Sequence, residues 1–441
     1  MEKKNILFTR VYLDKNYDYI RENASNTSFR FTYFREGSYG LRFIKQNIPE
    51  IEILENPTFE EFKKKLKSKK YDIVGFSFYL YEVPRIIEMI NYSRSIGVKT
   101  IWGGNYGVLT QGIEKYFDKL FIGYAEEEIA RELKKEIKKI KHPLIIRHVG
   151  TPFGLQILRA GVIQTIRGCS FKCKFCQTNS FCKKVSTIPI ESIDEVLREY
   201  KRRKIREIFI TDENFGLIKD YSDKVVDLME KYQLNWYAMS RGDIIEKNLE
   251  KWKEKGLIGV FIGLENFSQK NLDYMGKMIS GEKIIELIEK LNNHNLLIIG
   301  FYMVGFEDET KESILKDIKK LKSLNLDVTQ LCILTPFPYT PLWDYTEKKF
   351  GIWDKDYSHF DTKSLVWNHP KLKPKEMRLL LEKCFKIVSS RESFFNSFKK
   401  MYRKYTQIYG IREGLKYMYM GIINATFYRY FTKETEPFFF K

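Results

Sequence analysis

The sequence predicts an α/β protein in which two consecutive sets of βα units are followed by a helical C-terminal region. Three observations support this prediction. Short apolar runs alternate with amphipathic helical segments up to about residue 140, longer βα units begin at about residue 160, and the pattern beyond about residue 370 is helical. Alternation of this kind is typical of parallel sheets covered by helices.

The first region, residues 1–140, contains five βα units, which predict a doubly wound parallel sheet. The expected strands are Asn5–Thr9, Ile51–Leu54, Asp72–Phe78, Lys99–Gly104 and Lys119–Gly123. The expected helices are Tyr39–Gln46, Phe59–Ser68, Ile86–Ser95 and Glu126–Lys139. Such sheets bind ligands beyond the carboxyl ends of their strands. Ser77, Gly103, Gly104 and Gly123 lie there, and glycine lets a ligand approach the backbone closely.

A cysteine motif follows the first strand of the second set. Cys169, Cys173 and Cys176, the motif cysteines, have C-x3-C-x2-C spacing directly after the apolar run Val162–Ile166. Three thiolates can bind three irons of a cubane cluster and leave the fourth iron open for a substrate. Zinc remains an alternative, with Cys182 as a fourth ligand, but zinc normally uses paired motifs and no second pair follows. Six cysteines in 441 residues are too sparse to favour a disulfide framework.

With Phe175 before the third cysteine, the motif resembles that of the radical S-adenosylmethionine (SAM) superfamily. The resemblance implies a 4Fe–4S cluster whose open iron chelates SAM, and cleavage of SAM to a 5′-deoxyadenosyl radical. It also implies a partial (β/α)6 barrel over residues 161–370, after a linker at 141–160. The expected barrel strands are Val162–Ile166, Glu207–Thr211, Asn235–Met239, Gly259–Leu264, Leu297–Val304 and Asp327–Leu334.

The resemblance assigns SAM-binding positions at the carboxyl ends of these strands, where barrels carry their chemistry. Ser240 and Arg241 match a position that contacts the SAM carboxylate, which a guanidinium suits. Glu265 matches the residue that accepts hydrogen bonds from the SAM ribose. All of these positions are also compatible with solvated strand ends. In the family, an edge with two glycines holds the SAM amino group. Asp212, Glu213 and Asn214 occupy that edge in this chain, and the usual glycines are missing.

The first region resembles the cobalamin-binding domain that precedes the barrel in one class of these enzymes. The resemblance rests on three segments, Asp72–Ser77, Trp102–Gly104 and Gly123–Glu127. It implies that Ser77, Gly103 and Gly104 line a pocket for the nucleotide tail of cobalamin, and Gly123 is expected to line the crevice at the same edge of the sheet. The alternative is a sheet that only docks on the barrel or has lost its cofactor. No histidine occurs before His142, so this half offers no imidazole to cobalt.

The function that the resemblance implies is cobalamin-dependent radical SAM methyl transfer to an unactivated carbon or a phosphinate phosphorus. In the family, one SAM methylates cobalamin and a second yields the radical that activates the substrate. A rearrangement or cyclisation that uses cobalamin differently or not at all is the alternative, and a nucleic-acid-binding protein with a structural cluster is a more distant one. Methylthiolation of tRNA is disfavoured, because the first region has no cysteine for a second cluster.

The net charge of +19 is compatible with nucleic acid, an anionic membrane or an acidic substrate. The lysines are scattered among glutamates, which favours a solvated surface instead. We expect a cytoplasmic enzyme with a small-molecule, peptide or lipid substrate, an electron donor such as flavodoxin or ferredoxin, and no specific nucleic acid. The helical region 371–441 is expected to cap the barrel, with membrane contact through its basic, aromatic segment and substrate recognition as alternatives.

Overall fold

The computed structural model describes residues 4–12, 33–35, 38–150, 156–389 and 391–415, and these form two large sheets, a two-stranded sheet and the covering helices. The strands are β1 Ile6–Arg10, β2 Tyr33–Arg35, β3 Glu52–Leu54, β4 Ile73–Ser77, β5 Thr100–Gly104, β6 Lys119–Leu120, β7 Ile145–Gly150, β8 Gln156–Ile163, β9 Ile166–Arg167, β10 Ser186–Thr187, β11 Glu207–Ile210, β12 Asn235–Ser240, β13 Leu257–Glu265, β14 Leu297–Val304 and β15 Val328–Ile333. The helices are α1 Tyr39–Asn47, α2 Phe59–Lys67, α3 Val83–Ser95, α4 Glu126–Glu132, α5 Thr178–Phe181, α6 Ile190–Arg202, α7 Lys219–Lys231, α8 Gly242–Glu254, α9 Gln269–Met275, α10 Gly281–Asn293, α11 Lys311–Ser323, α12 Pro341–Lys349, α13 Pro374–Val388 and α14 Arg391–Tyr409.

The first sheet is parallel, with the strand order β3-β1-β4-β5-β6, which confirms the doubly wound prediction. Successive residues of a strand point to opposite faces, so one strand contributes side chains to two apolar cores. Val74 packs with α2 and α3 on one face, whereas Ile73 packs with α1 and α4 on the other. The strand order reverses between β1 and β4, and ligands of such sheets bind at that switch point, beyond the carboxyl ends of the strands.

The second sheet has eight strands in the order β15-β14-β13-β12-β11-β8-β7-β2. Strands β8 and β11 to β15 are parallel, as the six-unit barrel requires, and β7 and β2 extend the sheet in antiparallel orientation. A continuous apolar core joins the outer face of this sheet to helices α6 to α13. The segment expected as a linker, 141–160, contains β7 and the start of β8. The division of the chain at residues 140 and 370 stays a prediction.

Two elements differ from their expected bounds. Helix α4 ends at Glu132, seven residues early, and Lys134 has a positive φ of 56°, which an α-helix cannot continue. The first barrel strand ends at Ile163, and Ile166–Arg167 pairs instead with β10 in a separate hairpin. Thr165 lies at this break, where its backbone N–H and its hydroxyl both donate to the carboxylate of Asp212. The break therefore turns the chain out of the sheet just before the motif cysteines.

The C-terminal helix α14 closes the amino-terminal end of the second sheet. Tyr405 packs against Tyr237, Ile258 and Leu297, and Lys404 donates to the carbonyl of Asn295. This end is opposite the strand ends that precede the cysteine motif, so the structure gives no support to substrate recognition by residues 391–409. The segment 416–441, with most of the aromatic residues of the expected membrane-contact region, lies outside the described residues. None of the described helices combines the length and apolar content needed to cross a membrane.

Candidate active site

The loop that carries the motif cysteines is fixed from both sides by the second sheet and its helices. The backbone N–H of Lys174 donates to the carbonyl of Met275 at 3.1 Å, and the carbonyl of Lys174 accepts from Leu342 at 3.0 Å. Phe175 packs against a buried apolar cluster that contains Met275 and Leu342. The aromatic residue before the third cysteine therefore anchors the loop, and the cysteine spacing is held by the fold.

The three motif thiols are half-buried, and Cys176 lies close enough to Cys169 and Cys173 to act on the pKa of each. Burial raises the pKa of Cys169 and of Cys173, and the charge of Cys176 raises both further. Lys277 and Arg241 act in the opposite sense on the pKa of Cys173. Among the described residues, no three His, Cys, Asp or Glu side chains are arranged around a single metal ion. Three thiolates on one loop can each hold a different iron of a cluster, which is the ligand set that the motif predicts.

Cys182 is not part of this group. Its thiol donates to the carbonyl of Lys184 at 3.1 Å. It lies behind Gly168, where an added Cβ would approach its sulfur to 2.8 Å. Gly168 has a positive φ of 83°, and its turn leads from β9 into the cysteine loop. The hydrogen bond of Cys182 is thus local to the hairpin.

Arg241 carries the clearest sign of an absent partner beside the cysteine loop. Its guanidinium carbon lies 3.8 Å from the ring centroid of Phe171, and its Nε donates to Asp243 at 3.0 Å. Its Nη1 is buried and has no hydrogen-bond partner among the described residues. Leaving a buried charged donor unsatisfied is costly, and a carboxylate is the natural partner of a guanidinium. The site therefore fits the carboxylate of SAM.

Asn214 and Ser240 hold this arrangement in place. The side-chain oxygen of Asn214 accepts from the backbone N–H of Arg241 at 3.0 Å and from the hydroxyl of Ser240 at 3.3 Å. Its amide nitrogen lies 4.0 Å from the sulfur of Cys169. The hydroxyl of Ser240 also contacts the carbonyl of Phe215 at 2.6 Å. Asn214 thus links the predicted carboxylate-binding residue to the cysteine loop.

Glu265 lies on the same side of the sheet, at a β-bulge near the end of β13. Its φ is 62°, and bulges of this kind redirect a side chain toward a functional site. Its carboxylate pairs with Lys277 at 2.7 Å, and the two side chains are 10% and 9% exposed. A Cβ at Gly263 would collide with that carboxylate, which explains the glycine. A carboxylate with two oxygens can keep Lys277 and still accept from a ribose hydroxyl.

Asp212 and Glu213 point away from this group. Asp212 is fully buried beneath Thr165, and burial raises its pKa to about 7. Glu213 accepts from the backbone N–H of Gly168 at 3.0 Å and from the hydroxyl of Tyr124 in the first region. Of the three residues expected to form one edge, only Asn214 lies beside Arg241.

A cavity of about 320 Å³ lies at the carboxyl edge of the first sheet, which is within the size range of small-molecule sites. The residues that the sequence placed there all line it: Ser77, Gly103, Gly104 and Gly123. A Cβ at Gly104 would meet no atom within 4 Å and would enter the cavity, whereas one at Gly103 would collide with Phe117 and Leu120. Gly104 thus leaves space for a ligand, and Gly103 serves packing.

The cavity is shared with the strand that leads into the cysteine loop. Gln164 and Arg167 line it from that side. Arg167 forms two hydrogen bonds with Glu126 of α4, at 2.7 Å and 3.1 Å, and both side chains are buried. Its guanidinium also stacks between the rings of Phe43 and Tyr124, at 4.5 Å and 4.2 Å. The edge of the first sheet and the cysteine loop are therefore joined by a buried ion pair.

His142 provides no ligand to this cavity. Its Nε2 accepts from the backbone N–H of Gln164 at 3.0 Å, and its Nδ1 lies 2.7 Å from the carbonyl of Pro143. Burial lowers its pKa to about 3, so the ring is neutral with both nitrogens engaged. No histidine is among the residues that line the cavity.

Sequence reasoning missed Lys277 and Tyr124 as site residues. Lys277 was not assigned a role, because its pairing with Glu265 depends on how the chain folds back on β13 after α9. Tyr124 lies in the segment Gly123–Glu127 used for the cobalamin resemblance, and its bond to Glu213 spans 89 residues. A lysine twelve positions after Glu265 was the one available signal for the first pair.

Comparison with known proteins relates part of the chain to a known family. Residues 163–321 match the radical SAM superfamily. A protein of Pyrococcus horikoshii named as an uncharacterized methyltransferase is 32% identical over 204 residues, which are 44% of this chain and 42% of that protein. The bacteriochlorophyllide d C-8(2)-methyltransferase of Chlorobaculum tepidum is 22% identical, over 69% of this chain and 74% of that protein. The chain spans between 37% and 54% of the length of five curated relatives, the Pyrococcus protein among them.

The fold also matches a solved structure. That of the radical SAM methyltransferase TsrM from Kitasatospora setae, with cobalamin and a 4Fe–4S cluster bound, superposes with a TM-score of 0.65. The match covers 96% of this chain and all of that chain at 14% identity, so it shows a shared fold. Residues 163–321 are therefore a radical SAM domain.

Proposed function

We propose that this enzyme is a cobalamin-dependent radical SAM methyltransferase that methylates carbon or phosphorus in a small molecule, peptide or lipid. One observation carries the proposal: the cavity of the first sheet and the cysteine loop share Arg167, so two cofactor sites are adjacent. Methyl transfer requires a methyl carrier and a radical source close together. The methyltransferase names of the Pyrococcus and Chlorobaculum relatives support the same reaction.

The superfamily implies a 4Fe–4S cluster and SAM, and we assign their contacts on this chain. The motif cysteines hold the cluster. Arg241 binds the carboxylate of SAM through its unpartnered nitrogen, with Asn214 and Ser240 fixing its backbone. Glu265 accepts from the ribose, and the contact with Lys277 holds that carboxylate in position. When bound, these groups supply reductive cleavage of SAM, and cobalamin supplies methyl transfer.

We assign cobalamin to the cavity at the edge of the first sheet. Its nucleotide tail enters beside Ser77 and Gly104, where the backbone leaves space. Gly123, whose φ is 94°, allows the following loop to turn along the same edge. The cavity offers no imidazole, so cobalt has no histidine ligand from the residues that line it. An electron donor such as flavodoxin or ferredoxin supplies the electron for the reductive cleavage of SAM.

The test is the product pattern from SAM. Anaerobically reconstituted enzyme with cobalamin and a strong reductant should form both S-adenosylhomocysteine, the product of methyl donation, and 5′-deoxyadenosine, the product of reductive cleavage. Without cobalamin, only 5′-deoxyadenosine should form. If S-adenosylhomocysteine formation does not depend on cobalamin, the methyltransferase proposal fails, and a cobalamin-free radical reaction replaces it.

A further inference from the structure

The chain makes a tight turn where β13 ends. The backbone N–H of Asn266 donates to the carbonyl of Leu264 at 2.8 Å, which closes a three-residue turn around Glu265. Glu265 has a φ of 62°. A turn of this kind with a positive φ at its centre is the rare and strained form of the γ-turn. We call Leu264, Glu265 and Asn266 the ribose turn, because its central residue is the one assigned to the SAM ribose.

The strain in this turn is tied to the identity of its central residue. Glycine adopts a positive φ without strain. Glycine at position 265 would relax the turn, but it would carry no acceptor for a ribose hydroxyl. Strain of this kind persists only where surrounding contacts hold it, and it is concentrated at functional sites. The ribose turn therefore depends on contacts that keep Glu265 in its present direction.

The side chain of Asn266 makes such contacts. It is fully buried, and its amide oxygen accepts from the backbone N–H of Ser268 at 2.9 Å and from the side chain of Asn271 at 3.1 Å. Its amide nitrogen donates to the carbonyl of Met303 at 3.3 Å and to the carboxylate of Glu309 at 2.9 Å. Because a backbone N–H can only donate and a carbonyl can only accept, the amide cannot be reversed without losing these hydrogen bonds.

Glu309 holds Asn266 from the loop that follows β14. One oxygen of its carboxylate accepts from Asn266, and the other accepts from the backbone N–H groups of Gly305 at 2.6 Å and Phe306 at 3.0 Å. Glu309 is only 7% exposed. All three partners donate, so each hydrogen bond needs an acceptor, and the two oxygens of a carboxylate provide them. We call the side chains of Asn266 and Glu309 the anchor, because together they tie the ribose turn to the end of β14.

The ribose turn lies beside the cysteine loop. Burial is the main cause of the raised pKa of Cys173, and the charge of Lys277 lowers that pKa whereas the charge of Glu265 raises it. The carboxylate of Glu265 pairs with Lys277 at 2.7 Å. Lys277 therefore contacts the carboxylate itself, whereas Asn266 and Glu309 act on the backbone that carries it.

We propose that Asn266 and Glu309 are positioning residues for SAM binding, which hold the ribose turn in the conformation that directs the Glu265 carboxylate to the ribose hydroxyls. The inference deepens the proposed function and rests on its assignment of Glu265 to the ribose. Loss of the anchor lets the turn relax to a negative φ, so the carboxylate leaves its position while the other contacts of SAM remain. The anchor therefore contributes to SAM affinity only through the ribose hydroxyls.

The experiment compares SAM with dideoxy-SAM, the analogue in which hydrogen replaces both ribose hydroxyls. Binding to the full chain with its reconstituted cluster is measured anaerobically by equilibrium dialysis. The measurement is made at pH 8, because burial raises the pKa of Glu309 to about 7 and its ionised form is the one that accepts from Asn266. Wild-type protein should bind SAM about tenfold more tightly than dideoxy-SAM, since the analogue lacks the hydrogen bonds to a charged acceptor.

Glu309→Gln breaks the link between the two anchor residues and little else. The single oxygen of glutamine can still accept from the two backbone N–H groups, but its amide nitrogen places a second donor against the donor of Asn266. The variant should weaken SAM binding about tenfold, the share of a charged hydrogen bond, and leave dideoxy-SAM binding unchanged. Asn266→Ala removes the same link from the other side and should have the same effect on both ligands.

Glu207→Gln is the matched control. Glu207 is also a buried carboxylate, 2% exposed, but it lies at the amino end of β11 and accepts from the hydroxyls of Tyr405 and Tyr237. The same substitution at this end of the sheet should leave the affinities for SAM and dideoxy-SAM unchanged.

The proposal is overturned if Glu309→Gln weakens SAM and dideoxy-SAM equally, because the anchor then acts on the whole site, or if it weakens neither. Wild-type protein that binds both ligands alike would overturn the assignment of Glu265 to the ribose and the proposal with it. Cobalamin-dependent formation of S-adenosylhomocysteine, measured on the same wild-type sample, reports on methyl transfer independently. Its absence, with the preference for SAM intact and lost in Glu309→Gln, would overturn the methyltransferase reaction and leave the anchor standing.

Discussion

The buried ion pair between Glu126 and Arg167 should hold the first sheet against the cysteine loop. The perturbation is Glu126→Gln, which keeps the shape of the side chain and removes its charge. Both partners are about 95% buried, since their side chains are 4% and 5% exposed. Removing one partner of a buried pair leaves an uncompensated charge and costs about 3–5 kcal/mol. The rings of Phe43 and Tyr124 on Arg167 keep that charge away from water.

The expected loss of unfolding free energy can be converted into a change of the melting midpoint. An unfolding entropy of about 2.1 cal/mol/K per residue gives about 0.9 kcal/mol/K for 441 residues, if the chain unfolds as one unit. A loss of 3–5 kcal/mol then lowers the melting midpoint by about 3–5 °C. Differential scanning calorimetry of the full chain measures this, with Glu60→Gln as the control. Glu60 pairs with Lys63 at 2.9 Å but is 81% exposed, so its replacement should leave the midpoint unchanged.

A double replacement distinguishes a buried charge from a general packing defect. Glu126→Leu together with Arg167→Met replaces the pair by apolar side chains, and such replacements are often neutral or stabilising. The double variant should reverse most of the decrease in the melting midpoint that Glu126→Gln causes. A midpoint for Glu126→Gln within about 1 °C of the wild type would refute the reasoning, because the pair would then contribute little to the contact between the two regions.

Three further predictions concern the cofactor sites and pH. Replacing any motif cysteine by alanine should abolish binding of the roughly four irons that the reconstituted protein holds, whereas Cys182→Ala should retain them. Iron analysis measures both results. Loss of iron in Cys182→Ala would contradict the assignment of an open iron. Glu265→Ala should weaken SAM binding by about 1–3 kcal/mol, measured by equilibrium dialysis, since a charged acceptor is lost; unchanged affinity would show that the ribose contact is wrong. Burial holds the pKa of His142 at about 3, so below pH 6.5 the unfolded chain binds a proton that the folded protein does not, and stability falls by about 1.4 kcal/mol at pH 5.5. His142→Gln should remove that loss between pH 7.5 and 5.5, and an unaltered pH dependence of the melting midpoint would contradict it.

The sequence was sufficient for the first sheet and its ligand edge. Strands β4 and β5 are apolar runs bounded by polar residues, and parallel strands bring their carboxyl ends to one edge. Ser77 and Gly104 therefore had to lie together once the sheet was recognised, and both line the cavity. Local pattern and strand direction carry this information without knowledge of side-chain conformation.

The directions of the side chains at the strand ends could not be predicted from the sequence. Asp212, Glu213 and Asn214 are adjacent in the chain, yet each points to a different partner: Thr165, Gly168 and Arg241 respectively. After a strand ends, the direction of each side chain depends on the turn that follows and on the contacts it finds. Adjacency alone therefore predicted one edge where the structure has three separate contacts.

The position of the C-terminal helix was also unpredictable from its composition. An amphipathic, basic helix is expected to cap the barrel, but its composition does not indicate which end of the barrel it covers. The choice depends on buried polar contacts far apart in sequence. Lys400 pairs with Asp327 at 2.7 Å, and Tyr405 donates to Glu207 at 3.2 Å, which places α14 at the amino ends of the strands.

The retention of cobalamin tests the central claim most directly. Anaerobic full-length protein, reconstituted with iron and sulfide and loaded with hydroxocobalamin, should retain the cofactor through gel filtration. Its Co(II) electron spin resonance should lack the nitrogen superhyperfine splitting of an axial imidazole. Because Gly104 faces open space in the cavity, Gly104→Ala should weaken retention and Gly104→Leu should abolish it, while the iron content stays at the wild-type level. Wild-type protein that releases cobalamin, or a Gly104→Leu variant that retains it, would contradict the account.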